Sequence, residues 1–208
     1  GLRDGGVVAG RRYDPPVPAP SLTIARAAGT LSRRLGRGGG TSLPGKLLLR
    51  MRPGALAELG AGLPRGVTVV SATNGKTTTS RLVADCARAA GWDLVANTAG
   101  ANLLSGLATA LLDAHGRRPR PDAGLFEVDE AALVEVTRQL HPRVLLLMNL
   151  FRDQLDRYGE LEHLAAIWTT MVAGLPPSAM VVLNADDPAV AALGANRPEA
   201  VTFGIDDA

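Results

Sequence analysis

Val67-Thr68-Val69-Val70-Ser71-Ala72-Thr73-Asn74-Gly75-Lys76-Thr77-Thr78-Thr79 is the stretch on which the fold turns. An apolar, β-branched run leads into a turn of small residues, then Gly-Lys-Thr, then a helical pattern from Ser80 to Ala90. A strand, a loop and a helix N-terminus in succession make a cradle for an anion, because backbone N–H groups and the positive helix end converge there. In that arrangement Lys76 reaches the β/γ-phosphates of a nucleotide and the Thr77 hydroxyl is placed to ligate Mg²⁺. The full Walker pattern wants a glycine where this chain has Val70. A Gly-Lys-Thr turn can also join any strand to any helix, but the flanking elements favour nucleotide binding.

The remaining composition narrows the class. With 208 residues there is room for one sizeable α/β domain, or a domain with an appendage. A hydrophobic content of 46% and a mean hydropathy of +0.11 describe a soluble globular chain. The net charge of +2 gives no global pointer to nucleic acid. Lysine occurs only at Lys46 and Lys76, so the one in the phosphate loop stands out. A lone cysteine, Cys86, makes neither a disulfide nor a cysteine-rich metal site; it is expected to pack in the core of a protein from a reducing compartment. No apolar run has bilayer-spanning length and no signal-peptide pattern opens the chain, so a cytoplasmic location is expected.

Residues 1–20, rich in Gly, Pro and Arg, read as a flexible leader. Ser21 is expected to cap a helix to about Leu35, made basic by Arg26, Arg33, Arg34 and Arg37. Such a helix can rest on an anionic membrane, but is expected to pack on its own domain with solvated arginines. A Gly-rich joint through Gly45 follows, giving a 21–45 segment ahead of a 46–208 nucleotide-binding domain. Lys46–Arg52 is expected as a short strand, and Pro53 opens a helix to about Leu59. Beyond the phosphate loop, strands are expected at 92–97, 123–128, 144–150, 180–184 and 200–203. They alternate with helices at 102–114, 130–140, 160–173 and 188–193. Continuous apolar strands alternating with helices imply a mostly parallel sheet covered on both faces, with ligands at the carboxyl ends of the strands.

Polar clusters sit at those ends. Asn97-Thr98-Ala99-Gly100-Ala101-Asn102 is small enough for close approach to a ligand, or simply caps a helix. In Glu127-Val128-Asp129-Glu130, a carboxylate ending a buried strand is suited to holding Mg²⁺ opposite Thr77. A buried carboxylate without a partner is costly, which argues against Glu127 as an accidental charge. Asp129 and Glu130 are weaker candidates for the same metal, with capping of the next helix as the plainer role. The run Asn149 to Glu160, with Asp153, Gln154 and Arg157, is too polar and aromatic for a plain connector, though a surface ion-pair network would also produce it. Asn184-Ala185-Asp186-Asp187-Pro188 closes another strand and has good turn chemistry in any case.

These clusters, in this order, resemble the Mur ligase family, ATP-dependent enzymes that build peptidoglycan stem peptides. The resemblance covers about 165 residues, from Gly40-Thr41-Ser42-Leu43-Pro44-Gly45 to Phe203-Gly204-Ile205-Asp206. It is narrowest toward the MurT branch, the ligase-like subunit of lipid II isoglutaminyl synthase. Arg152-Asp153-Gln154-Leu155-Asp156-Arg157-Tyr158-Gly159-Glu160 is its most specific part, because amino-acid-adding members usually have His where this chain has Gln154. The resemblance implies a P-loop Mur ligase central domain preceded by a short helical segment, with ATP and Mg²⁺ as cofactors. It implies that Thr73, Asn74, Gly75, Lys76, Thr77 and Thr78 cradle the phosphates, with Lys76 and Glu127 catalytic and Thr77 and Glu127 on the metal. Gln154 falls at the family's second metal position. Asn102 would face the γ-phosphate or substrate, Asp153 and Arg157 the substrate, and Asn184 the adenine, with Asp187 bracing that loop. Ala72 departs from the family's usual glycine. The lack of any lysine after Lys76 excludes the carbamylated lysine that several members use for a second Mg²⁺.

The implied activity is amidation of the D-glutamate α-carboxylate of lipid II through an acyl phosphate. Ammonia would come from a GatD-like glutamine amidotransferase in a heterodimer, at the cytoplasmic face of the membrane and without nucleic acid. The zinc ribbon and C-terminal domain of that branch are not in this sequence, which is therefore expected to be a fragment, with zinc confined to the missing part. Two other readings are an amino-acid ligase of the Mur or folylpolyglutamate type and a non-catalytic nucleotide-binding scaffold.

Overall fold

In the computed structural model, which describes residues 19–34, 42–97, 101–151 and 160–205, six strands form one sheet. They are β1 Val67–Ser71, β2 Leu94–Ala96, β3 Ala123–Glu127, β4 Val144–Leu147, β5 Met180–Asn184 and β6 Val201–Phe203. The order is β2-β3-β1-β4-β5-β6, and every pairing is parallel. From β1 the chain crosses to β2 at one edge, returns to β3, and then passes to β4 on the other side of β1. The crevice for a ligand therefore opens at the carboxyl end of β1. The register sets Val70 against Glu127 on one side and against Leu146 on the other.

The helices are α1 Ala19–Arg34, α2 Leu43–Met51, α3 Ala55–Ala61, α4 Lys76–Ala89, α5 Leu104–His115, α6 Leu133–Leu140, α7 Glu160–Ala173 and α8 Pro188–Ala191. Strand alternation divides the core between the two faces of the sheet. Val67 and Val69 share the larger cluster with Phe126, Leu145, Leu147 and Leu183, which α1, α2, α3, α5, α6, α7 and α8 all help to cover. Val70 and Leu125 face the other way, against Ala84 of α4. Both faces thus carry helix, although among the described residues α4 alone supplies the second cluster. No described helix is long and apolar enough to cross a membrane.

Three expectations are corrected. Ser21, expected to cap α1, lies inside that helix, which begins at Ala19. Of residues 46–52, expected as a strand, 46–51 belong to helix α2 and Arg52 is its extended C-cap. A short leucine run does not distinguish strand from helix. Pro44 in the first helical turn and the burial of Pro44, Gly45 and Leu48 along one side decide for helix. Gly45 lies against α5, where its N–H donates to Thr109 Oγ1 at 2.9 Å and a Cβ would overlap the Ser105 carbonyl oxygen. Cys86 is exposed rather than in the core, because α4 turns Ser80 and Ala84 inward and leaves Leu82, Val83 and Cys86 outside. The basic helix α1 packs on its own domain as expected, burying Leu22 and Ala25. Its Arg26 donates to the Leu112 carbonyl at 2.9 Å.

Candidate active site

Ala72–Gly75 connect the central strand to α4 in four residues. Gly75 takes φ +86° immediately before the helix, a left-handed conformation that costs other residues roughly 1–2 kcal/mol. With no side chain at Gly75 to cap α4, the first-turn amides of Lys76, Thr77 and Thr78 are left for an anion. Thr73 is half-buried, whereas Asn74 and Thr78 are exposed.

Two side-chain pairs join the loop to β3. Thr77 Oγ1 donates to Glu127 Oε2 at 2.8 Å. Lys76 Nζ donates to Glu130 Oε2 at 3.1 Å and also to the Ala72 carbonyl, closing over its own loop. The Lys76 and Glu130 side chains are only 16% and 19% exposed, so this is not an ordinary surface ion pair. Asn97, at the end of β2, fixes Glu127 from behind. Its Nδ2 donates to the Glu127 carbonyl at 2.8 Å, and its Oδ1 accepts the Glu127 N–H at 2.9 Å.

A second clamp comes from the end of β4. Asn149 Oδ1 accepts the Asn74 N–H at 2.9 Å, and Asn149 Nδ2 donates to the Asn74 carbonyl at 3.0 Å. The Asn149 carbonyl takes the Thr73 N–H at 3.1 Å, and Thr73 Oγ1 takes the Phe151 N–H at 3.1 Å. Farther along the sheet, buried Asp187 caps α8 through Ala189 and Val190, at 2.9 and 3.0 Å, and accepts the Leu150 N–H at 2.9 Å. Asn184 Oδ1 accepts the Asp186 N–H at 3.0 Å within the same turn.

The fold therefore gathers Thr73, Asn74, Gly75, Lys76, Thr77 and Glu127 at one point. Asn102 is joined to the neighbouring turn: its carbonyl accepts the Asp129 N–H at 3.2 Å, and its Nδ2 lies 3.4 Å from Asp129 Oδ2. Asn184 and Asp187 stand two strands away from β1, at the carboxyl end of β5. Asp153, Gln154 and Arg157 lie outside the described residues, as do Thr98, Ala99 and Gly100.

Three residues of the site were not anticipated in these roles: Glu130 as the partner of Lys76, and Asn97 and Asn149 as clamps. Helix α6 starts only at Leu133, so Glu130 does not cap it; Asp129 Oδ1 accepts the Ala131 N–H at 3.1 Å in the turn before it. A signal for Glu130 was present all the same, since Lys76 is one of only two lysines and needs an anion when the phosphates are absent.

Thr77 and Glu127 offer a hydroxyl and a carboxylate oxygen within 2.8 Å of each other, a hard donor set that fits Mg²⁺. Among the described residues no group of three or more His, Cys, Asp or Glu could hold a metal. An ion here would take the rest of its shell from phosphate oxygens and water, as Mg²⁺ commonly does.

A parallel sheet with a Gly-Lys-Thr loop at its switch point and a carboxylate on the adjacent strand defines a P-loop nucleotide-binding domain. Residues 70–208 match the Mur ligase middle domain, and the chain belongs to the Mur ligase family. It is 32% identical over 167 residues to the Streptococcus pneumoniae lipid II isoglutaminyl synthase (glutamine-hydrolyzing) subunit MurT, covering 80% of this chain and 36% of that protein. Identity to the MurT subunit of Staphylococcus aureus strain N315 is 29%, covering 89% of this chain and 41% of that protein. The UDP-N-acetylmuramoylalanine–D-glutamate ligase of Rhodopseudomonas palustris (strain ATCC BAA-98 / CGA009) is 30% identical, with 82% of this chain and 32% of that protein covered. The chain thus spans about two fifths or less of the length of these relatives. Among solved structures, the Thermotoga maritima MurF ligase in complex with ADP superposes with a TM-score of 0.59 at 17% identity, covering 79% of this chain and 36% of that one. MurF from Acinetobacter baumannii superposes with a TM-score of 0.60 at 16% identity, covering 80% and 35%. These two likenesses are of fold.

Proposed function

We propose that this chain is the ATP-binding central domain of a MurT-type subunit that amidates the D-glutamate α-carboxylate of lipid II. The γ-phosphoryl group of ATP passes to a carboxylate oxygen, giving an acyl phosphate and ADP. Ammonia, released from glutamine by a GatD-like partner, attacks the acyl carbon; phosphate leaves, and the nitrogen loses a proton to become the amide of D-isoglutamine. The observation that carries the reading is the convergence of Lys76, Thr77 and Glu127 on one shelf, in a chain similar to MurT subunits across four fifths of its length.

The residues have separable tasks. First-turn amides and Gly75 seat the phosphates, and Lys76 leaves Glu130 to meet the charge that develops on the transferring group. Glu127 and Thr77 would hold Mg²⁺, which supplies neutralisation of phosphate charge. Asn149 and Asn97 keep loop and carboxylate in register, so that positioning provides much of the catalysis. Asn102, Asp153 and Arg157 are assigned to the acceptor, Gln154 to the second metal position, and Asn184 to the adenine. The protein would work peripherally, where its lipid-borne substrate lies.

The test is lipid II amidation in the complex with the glutaminase partner. Activity should vanish in Lys76→Ala, and full activity in that variant would overturn the assignment. The 30% identity to a D-glutamate ligase supports a second reading, ligation of an amino acid. ATP consumption driven by ammonia favours the first, and consumption driven by one specific amino acid favours the second.

A further inference from the structure

Between Asp14 and Glu58 the chain contains Arg26, Arg33, Arg34, Arg37, Lys46, Arg50 and Arg52, and not one acidic residue. The described part of this run covers helices α1 and α2 and the start of α3, outside the nucleotide shelf. Among the described side chains, two of these cations serve the fold: Arg26 caps the carboxyl end of α5 through Leu112, and Arg52 pairs with Glu58 at 2.8 Å. Lys46 and Arg50 make no such contact among the described residues; both are exposed on the side of α2 opposite buried Pro44, Gly45 and Leu48. Helical spacing sets Leu43, Lys46 and Arg50 in one stripe, with Met51 at its flank. Leu43 is 44% and Met51 38% exposed, and on the adjacent α1 Ile24 is 52% exposed.

Large apolar side chains interleaved with cations, with no acid across the whole run, match an interface with lipid headgroups. Apolar groups enter the acyl boundary while lysine and arginine heads stay at the phosphates. A nucleic acid would use the cations and gain little from Ile24, Leu43 and Met51. We infer that the outer face of α1 and α2 docks on an anionic phospholipid surface. The inference extends the proposed function only in naming where the enzyme meets its lipid-borne acceptor; charge and exposure carry it independently of the chemistry.

The test is co-sedimentation of the protein with vesicles of phosphatidylglycerol and phosphatidylcholine, and with phosphatidylcholine alone, while ATP protection against thermal unfolding is read on the same samples. Binding to the anionic vesicles only is expected. Each cation near the surface contributes about fivefold, so Lys46→Glu/Arg50→Glu should lower partitioning at least about twentyfold. Ile24→Ser/Leu43→Ser should lower it about fivefold or more. Equal binding to both vesicle types, or unchanged binding of the charge-reversed variant, overturns the inference. Unchanged binding of the apolar variant also overturns it and marks a general polyanion surface. Lys76→Ala should lose ATP protection and keep vesicle binding; if the parent protein shows vesicle binding without ATP protection, the functional reading fails and this one stands.

Discussion

Thr77 Oγ1 and Glu127 Oε2 meet at 2.8 Å across a separation of fifty residues, and this contact binds the phosphate loop to the neighbouring strand. A hydroxyl and a carboxylate oxygen this close are also suited to hold one Mg²⁺ between them, the role proposed for them above. Glu127→Gln keeps the size of the side chain, the Asn97 contacts to its backbone and an acceptor for Thr77, but removes the anion. Thermal stability without ligand should change by less than about 1 kcal/mol. Mg²⁺-dependent ATP affinity should fall at least about tenfold, with no comparable loss when the ion is chelated. Titration calorimetry with and without EDTA reads both; equal losses in the two conditions would remove Glu127 from the metal.

Lys76 and Glu130 form a second pair, one that the proposed nucleotide role of Lys76 would open. Removing the ammonium alone leaves Glu130 largely buried without its counter-charge. Lys76→Met should therefore cost about 1–3 kcal/mol of stability, and Lys76→Met/Glu130→Gln should recover part of that loss. A double-mutant cycle by urea unfolding gives the coupling, expected in the range of about 0.5–3 kcal/mol. Glu130→Gln alone frees Lys76 for the phosphates, so ATP affinity should hold or rise. A fall of tenfold would show that Glu130 contacts the ligand instead.

Asn149 grips the exposed Asn74 peptide with both ends of its amide. Water can replace those bonds in Asn149→Ala, so global stability should drop by no more than about 1 kcal/mol. The loop would lose its register, and ATP affinity should fall several-fold. Asn149→Asp keeps the acceptor for the Asn74 N–H but adds a negative charge beside the phosphates, and it should bind ATP more weakly than the alanine variant. Nucleotide titrations of the two variants decide the order.

The legibility of this molecule in its sequence follows contact range. The loop, its flanking strand and helix, and the alternation that builds a parallel sheet are local patterns, and α7 and β5 occupy the expected spans. Thr77 and Glu127 could be paired in advance only because the nucleotide-binding pattern supplies a reason for them to meet. Lys76–Glu130 and Asn74–Asn149 join residues 54 and 75 apart, and nothing in the local pattern of either partner specifies the other. Helix α2 departs from the expected strand for the same reason. Its leucine run is ambiguous until α5 is set beside it and Gly45 is seen to touch Ser105 and Thr109. Cys86 departs from the expected core position because α4 turns Ser80 and Ala84 toward the sheet and leaves Leu82, Val83 and Cys86 on its outer side.

His115, at the end of α5, is held below the usual histidine range by partial burial, with Arg120, Arg26 and Arg118 adding repulsion. Its folded pKa lies below its unfolded one, so the unfolded chain binds the proton more readily. Stability should therefore begin to decline as pH falls through about 6.5 and continue until the folded group is also protonated. His115→Gln should flatten that segment of the stability curve. Chemical denaturation at a series of pH values reads the effect, and an imidazole titrating at or above the ordinary value by NMR would contradict it.

Asp187 supplies the strictest test of how the turn after β5 is held, because its buried carboxylate accepts three backbone N–H groups. Oδ1 caps α8, and Oδ2 ties that helix to Leu150 beyond β4. In Asp187→Asn the remaining oxygen can still cap, but the amide nitrogen faces the Leu150 N–H, donor against donor. One buried N–H is then unsatisfied, at a cost of about 1–3 kcal/mol. Asp187→Ala removes the cap as well and leaves all three donors without a side-chain acceptor, so it should lose more than the asparagine variant by at least about 1 kcal/mol. Urea midpoints for the parent and the two variants should fall in that order. Equal losses would mean that the Leu150 bond, not the cap, carries the contribution. A variant that keeps its stability but loses ATP would move Asp187 from bracing the turn to touching the nucleotide.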